Sequence, residues 1–310
     1  MKSILLIIPY FGQWPLWFEA YLCSVAKNPT INWLCPTDCE LPKHYPENIK
    51  FLKTTLPELN EQVNQIVEAK VPLTPRKFCD LKPAYGEIFQ EEIKAFDFWG
   101  FCDMDIIWGN IRAFMTPEIL HTYDIISSRK ENISGHFNLF RNTLELNQLY
   151  KQVPNYKNLF EQERFMWFDE QVLSSFLKET SHSFQIKWDT ILCNQEKGRD
   201  SHQEYHLNRW MWNDGQLLNT KTQEEVMYLH FINWKRTMTS CEISYSDAPK
   251  PFYVSYIGMH YKVFSRLRLT FNTVKNLFIG YEKKENRRKQ KLKFQSLKKR
   301  VINRLHKLFI

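Results

Sequence analysis

A chain of 310 residues that is 43% hydrophobic and 15% aromatic can bury the core of one large α/β domain or two small ones, so size alone permits a globular enzyme. Its formal charge of +8 is concentrated at one end: twelve Lys and Arg against two Glu fall in residues 281–310, a net of +10 that leaves residues 1–280 at −2. The body therefore lacks the basic surface that the total suggests, and no apolar run approaches the ~18 residues of a membrane span.

The seven Cys are an odd number and no secretory apolar segment with a small-residue cleavage site opens the chain, which points to the reduced cytoplasm. Cys35 and Cys39 have half the spacing of a zinc site, but no matching second pair follows.

Ile4-Leu5-Leu6-Ile7-Ile8, ended by Pro9 and Gly12, has the continuous apolar pattern of a parallel strand buried on both faces. A helix is predicted over 16–27, a strand over Ile31–Leu34 closed by Pro36 and Asp38, a strand over Ile49–Lys53, and a helix from Pro57 to Ala69. This β-α-β-β-α order favours a nucleotide-binding α/β sheet. After Pro72, Thr74 and Pro75 come Asp80, Lys82, Pro83 and a predicted helix to Phe96, then the strand Phe98–Cys102, which delivers Asp103 to a sheet edge where ligands bind. Further strands are expected at Asp124–Ser128, Phe137–Phe140, Phe184–Trp188 and Val226–His230, with helices over Leu144–Tyr150 and Asp169–Lys178. Residues 194–222 have an irregular polar pattern of loops with some strand. In the last 40 residues Leu292, Phe294, Leu297, Val301, Ile302, Leu305, Leu308 and Phe309 recur at helical spacing among Lys and Arg, the pattern of a basic amphipathic helix.

Asp103-Met104-Asp105 places two carboxylates one residue apart, and residues i and i+2 of an extended segment project to one side. Two hard oxygen ligands so placed suit Mg²⁺ or Mn²⁺, which would neutralise a diphosphate; an acidic turn capping a strand is the plain alternative. His230, at the end of another apolar strand, suits an imidazole ligand beside carboxylates, a mixture that favours Mn²⁺.

On these residues the chain resembles GT-A-fold glycosyltransferases, in particular small bacterial enzymes of capsule and O-antigen assembly, with further similarity to glycosyltransferase family 8. The resemblance runs from about residue 1 to about residue 240. It rests on Asp103-Met104-Asp105 and on Tyr228-Leu229-His230-Phe231-Ile232-Asn233-Trp234-Lys235, which is similar to the His-Phe-x-Gly-x-x-Lys segment of family 8. The resemblance implies that Asp103, Asp105 and His230 hold the metal and that Lys235 contacts the donor diphosphate. Lys235 stands one residue nearer the His than in the family pattern, and Asn233 occupies the shifted Gly position.

Trp167-Phe168-Asp169-Glu170-Gln171 resembles the family 8 segment that lines the donor sugar, although Asp169 can equally cap a helix, with Glu170 favouring its dipole. If the enzyme inverts, Asp169 or Glu170 is the general base; if it retains, which the resemblance favours, the pair orients the donor. Donor contacts are expected from Pro9, Tyr10 and Phe11 at the base, from Asp80 and Lys82 before the metal strand, from Asp103, and from Gly135, His136 and Asn138 beneath the sugar. Trp210, Trp212 and Trp234 fall where an acceptor sugar could stack, with core packing as the alternative; the same holds for Trp14 and Trp17 near the base.

The expectation is thus a GT-A (Rossmann-like) α/β catalytic domain with a mixed central sheet over 1–262 and a basic helical tail over 263–310. It would move a hexose, galactose or glucose, from a UDP-sugar to a lipid-linked saccharide in surface polysaccharide assembly, docked on the inner face of the cytoplasmic membrane by its tail. A membrane- or nucleic-acid-binding module built on the tail, or a metal-dependent nucleotidyl- or phosphotransferase, are the competing classes. No P-loop motif is present and no nucleic-acid motif accompanies the basic tail.

Overall fold

The computed structural model describes residues 1–188, 190–195 and 206–280, with 287, 290, 291, 293–295 and 297 beyond them. In chain order the strands are β1 (Ile4–Ile7), β2 (Ile31–Thr37), β3 (Ile49–Lys53), β4 (Phe98–Cys102), β5 (Ile106–Trp108), β6 (Ile125–Ser127) and β7 (Phe137–Arg141). They continue with β8 (Ile186–Lys187), β9 (Trp210–Asn213), β10 (Gln216–Asn219), β11 (Tyr228–His230), β12 (Ser240–Cys241), β13 (Phe252–Ser255) and β14 (Gly258–His260).

The main sheet has the order β3-β2-β1-β4-β7-β6-β8, mixed because β7 alone runs against its neighbours β4 and β6. This is the α/β arrangement with a mixed central sheet that the sequence predicts. β1 is an interior strand between β2 and β4, and the alternate side chains of its apolar run enter different cores: Ile4, Leu6 and Ile8 on one face, Leu5 and Ile7 on the other. Each such burial contributes about 1.5–3 kcal/mol.

The helix Phe18–Ala26 covers the first face with Tyr21, Leu22 and Val25, while Ala20 and Cys23 turn away into a third core beneath a second sheet, β10-β9-β13-β14-β12. It is buried nearly all round because it lies between two sheets. The helix Leu56–Val67 covers the opposite face, begun by a capping box in which the Thr55 side chain accepts from Glu58 N–H and Glu58 accepts from Thr55 N–H at 2.8 Å.

Several expectations are corrected. β2 continues through Pro36, whose carbonyl accepts from Tyr10 N–H at 2.9 Å, so a proline that seemed a terminator lies at the strand's end, where its oxygen still serves the ladder. The predicted helix to Phe96 is broken into a 3₁₀ segment Lys77–Ala84 and two short helices, Tyr85–Ile88 and Gln90–Ile93, with Pro83 inside the first. The predicted helix from Asp169 begins as a π-turn, Phe168–Leu173, before Ser174–Glu179 becomes α-helical. Trp210, Trp212 and Trp234 are wholly buried in the third core and have no face to offer a sugar.

The helix Arg266–Ile279 begins at the Ser265 cap and carries exposed Leu267, Phe271, Val274 and Phe278, a stripe at helical spacing. Phe294 and Leu297 are also exposed. Leu292, Val301, Ile302, Leu305, Leu308 and Phe309 of the expected amphipathic pattern lie outside the described residues. Among the described residues no helix is long and apolar enough to cross a membrane.

Candidate active site

The site forms where β4 runs out of the sheet. β5 follows the Asp103-Met104-Asp105 turn immediately and pairs antiparallel with β11, with His230 opposite Ile106. That register sets the imidazole beside the residue preceding Ile106, which is Asp105. The turn is fixed by backbone bonds: Asp103 N–H donates to His136 O at 3.3 Å, Phe231 N–H to Asp105 O at 3.1 Å, and the Trp17 indole N–H to Met104 O at 2.8 Å.

Each carboxylate is divided between a lysine and the histidine. Lys82 Nζ lies 2.6 Å from Asp103 Oδ1 and Lys235 Nζ lies 2.7 Å from Asp105 Oδ2. The remaining oxygens, Asp103 Oδ2 and Asp105 Oδ1, face His230 Nε2 at 3.9 and 3.6 Å. The three ligand atoms that Asp103, Asp105 and His230 offer lie within 4.8 Å of one another, and His230 Nε2 is buried without a hydrogen-bond partner. A six-coordinate ion with bonds of ~2.1 Å separates its ligands by roughly 3.0 Å (cis) to 4.2 Å (trans), so this trio suits one divalent cation after small side-chain adjustments.

His230 Nδ1 lies 2.7 Å from the Gln195 side-chain amide. With that amide oriented so that its oxygen accepts from Nδ1–H, the Nε2 lone pair is directed at the carboxylates. His230 N–H also donates to Asn194 Oδ1 at 3.0 Å, so residues 194 and 195 support the ligand from behind.

Burial alone would raise the Asp105 carboxyl, but the charged form of His230, whose Nε2 proton a metal ion would replace, and Lys235 outweigh it and hold the group below the usual carboxylate range. Burial likewise opposes the Lys82 charge, yet Asp103 above all keeps that ammonium protonated well above the ordinary lysine value.

A cleft of about 460 Å³ opens over the acidic pair, and its lining brings together Pro9, Tyr10 and Phe11, which follow β1, with Lys82, Asp103, Asp105 and Lys235. Arg76, which sequence reasoning did not single out, also lines it. Its position directly before the Lys77–Ala84 segment, in the same cationic stretch as Lys82, was the available signal.

On the other side of Lys82 the chain brings together Gly135, Asp169 and Glu170. Lys82 donates to Gly135 O; Gly135 N–H donates to Glu170 Oε1 at 3.3 Å; and Arg129 pairs with Glu170 at 3.2 Å. Glu170 is therefore held as a paired carboxylate. Asp169 differs: it is buried, and its carboxylate accepts from Glu170 N–H at 2.8 Å. Burial pushes its carboxyl from 3.8 up to about 7, with Lys82 pulling the other way and Glu170 adding to the rise.

This shift has a consequence for stability. Between about pH 4 and about pH 7 the folded chain keeps a proton on Asp169 that the unfolded chain has released, so stability falls as pH rises through that window and levels off above it. Asp169→Asn removes the contribution, and its melting temperature should decline less than wild type between pH 5 and pH 8. Equal declines would place the responsible group elsewhere.

Gly135 is required by close approach. A Cβ there would stand 2.9 Å from Glu170 Oε1 and 3.2 Å from Asp169 Oδ2. Because Glu170 is held by Arg129 and Asp169 is buried, Gly135→Ala should cost about 1–3 kcal/mol while displacing both carboxylates and lowering turnover by about 10-fold or more. A variant of full activity would remove the pair from the reacting centre.

Three expected donor contacts sit elsewhere. Asp80 is fully buried behind the cleft, with its carboxylate engaged by Lys77 at 3.0 Å and by the N–H groups of Met166 and Phe168. His136 is buried and stacked on His230 with ring centroids 4.3 Å apart, its Nδ1 bonded to the Tyr228 hydroxyl at 2.7 Å, which in turn meets Ser128. Burial first, then His230, pushes the His136 imidazole well below the usual histidine range, so it backs the metal ligand as a neutral ring. Asn138 lies within β7, fully buried, and donates to Leu139 O at 3.2 Å. These three hold the site from behind because β7 and the Lys77–Ala84 segment present them to the protein interior.

A family model described as "Family of unknown function (DUF6625)" matches residues 6–262. Comparison with curated proteins finds no match. Among solved structures, the apo form of mouse xyloside xylosyltransferase 1 is similar at 13% identity, over 51% of this chain and 72% of that one, with a TM-score of 0.32.

Proposed function

This chain belongs to the DUF6625 family of unknown function, and we propose that it is a metal-dependent glycosyltransferase moving a hexose from a UDP-sugar to a saccharide acceptor. The observation that carries the reading is the Asp103, Asp105 and His230 trio at the floor of a cleft whose walls supply two lysines. Manganese suits the mixed carboxylate and imidazole set better than magnesium; when bound there, such an ion neutralises the donor diphosphate and eases departure of UDP. Lys235 and Arg76 would bind diphosphate oxygens, and Lys82 ties Asp103 to Gly135. Pro9, Tyr10 and Phe11 would receive the uracil.

Asp169 and Glu170 take the sugar side. Glu170, fixed by Arg129 and Gly135 N–H, would hold sugar hydroxyls, and Asp169, poised near neutrality, would orient the donor at the anomeric carbon in a retaining reaction or accept the acceptor proton in an inverting one. The sequence resemblance favours retention. Galactose and glucose are the hexoses proposed, and the acceptor a lipid-linked saccharide of surface polysaccharide assembly.

The exposed stripe of Leu267, Phe271, Val274 and Phe278, followed by a segment of net +10, supports docking on an anionic membrane from the cytoplasmic side. A polyanion such as nucleic acid would use the charge but leave the stripe uncovered.

Calorimetric titration of UDP into the purified protein tests the reading. Binding with Mn²⁺ that disappears with EDTA is expected; no UDP binding in either condition would overturn the UDP-sugar assignment.

A further inference from the structure

The segment 164–168 stands out beside the site. Trp167 has φ 54° and ψ 44°, the left-handed region that bulky side chains avoid, and is 44% exposed. The strained backbone is over-determined from below: the buried Asp80 carboxylate accepts from Met166 N–H at 2.9 Å and from Phe168 N–H at 3.1 Å, bracketing Trp167. Lys77, itself buried, bonds Asp80, Leu159 O and Arg164 O, closing the clamp.

The indole is not there for the core. It packs on Phe165, ring centroids 4.9 Å apart, and the Arg76 guanidinium lies 3.8 Å over the other ring of that pair, Phe165. Arg76 lines the cleft, so guanidinium, phenyl and indole form one contiguous cluster, the two rings tilted at 57°, that joins the cleft wall to the half-exposed Trp167, two residues before Asp169.

We propose that Trp167 is the platform of a saccharide subsite at the mouth of the cleft, taking the apolar C–H face of the acceptor pyranose. A large aromatic face held at a cost in backbone strain suits a ligand that stacks, and its adjacency to Asp169 sets that ligand next to the reacting centre. The clamp explains why Asp80, though removed from the cleft, matters to it: it is a positioning residue for Trp167. The inference rests on the glycosyl-transfer reading for the word acceptor, but the saccharide subsite is measurable without it.

The test is ¹⁹F NMR of the full chain labelled with 5-fluorotryptophan. The Trp167 line is assigned by its loss in Trp167→Gly, a variant that suits the left-handed backbone and so folds. Methyl glycosides of glucose, galactose, mannose, xylose and N-acetylglucosamine are titrated in turn, with and without UDP and Mg²⁺. A saturable shift of the Trp167 line with at least one glycoside, and none with UDP and Mg²⁺ alone, is expected. A line that none of the glycosides moves, or that UDP and Mg²⁺ alone move, overturns the proposal. Calorimetry of UDP on the same sample reads the donor assignment separately: a glycoside shift without UDP binding keeps the subsite and removes the UDP-sugar assignment.

Discussion

Asp105→Asn is expected to lower metal-dependent transfer by about 10³-fold while leaving the fold intact. Asp105 Oδ1 faces His230 and Oδ2 meets Lys235, so one atom change removes both a ligand charge and the counter-charge of a lysine. The asparagine keeps the volume and can still accept from Lys235, whose side chain is 38% exposed and can turn to water if the contact weakens. Removing that lysine alone, as Lys235→Met, leaves the trio complete and should cost less, about 10–100-fold. Steady-state rates at saturating Mn²⁺ with melting curves in parallel check both. An Asp105→Asn protein with near-normal turnover would mean that the acidic turn only caps β4.

The largest loss of stability should come from Asp80→Ala, about 3–5 kcal/mol, or roughly 10 °C in melting temperature. The substitution strands the Lys77 ammonium, 1% exposed, in the interior and leaves the N–H groups of Met166 and Phe168 without their acceptor. Asp80→Asn retains an oxygen for those two donors and should be milder, although the lysine still lacks its counter-charge. Urea unfolding of the two variants gives the comparison. A change within about 0.5 kcal/mol for Asp80→Ala would show that the clamp under Trp167 adds nothing to the fold.

The parts of the molecule that were legible in the sequence are those where one local pattern determines the outcome. β1 lies in a run of five apolar residues needed on two faces at once, β3 and β4 have the bounds the pattern predicts, and the acidic turn follows β4 directly. His230 was legible for the same reason, as a polar residue ending an apolar strand. What local pattern does not contain is pairing. β5 is three residues long and is specified by its register with β11; the run Ile106-Ile107-Trp108 before Gly109 was the overlooked signal. The second sheet escaped notice because its strands are two to four residues long and draw their stability from the shared core of Trp210, Trp212 and Trp234.

Direction was the other hidden quantity. Residue types near Asp80, His136 and Asn138 suited a sugar site, but whether each turned to the cleft or to the core depended on strand pleat and on the 3₁₀ geometry of Lys77–Ala84. Arg76 and Trp167 faced the opposite way, outward, and only the fold shows them joined through Phe165.

One divalent ion is proposed to bind between Asp103, Asp105 and His230 and there to receive a nucleotide diphosphate. Diffraction at the manganese absorption edge, from crystals grown with Mn²⁺ and UDP, tests it most directly. An anomalous peak bounded by Asp103 Oδ2, Asp105 Oδ1 and His230 Nε2 is expected, with the diphosphate between it and Lys235. UDP bound in the cleft with no peak at that trio, or a peak elsewhere, would contradict it.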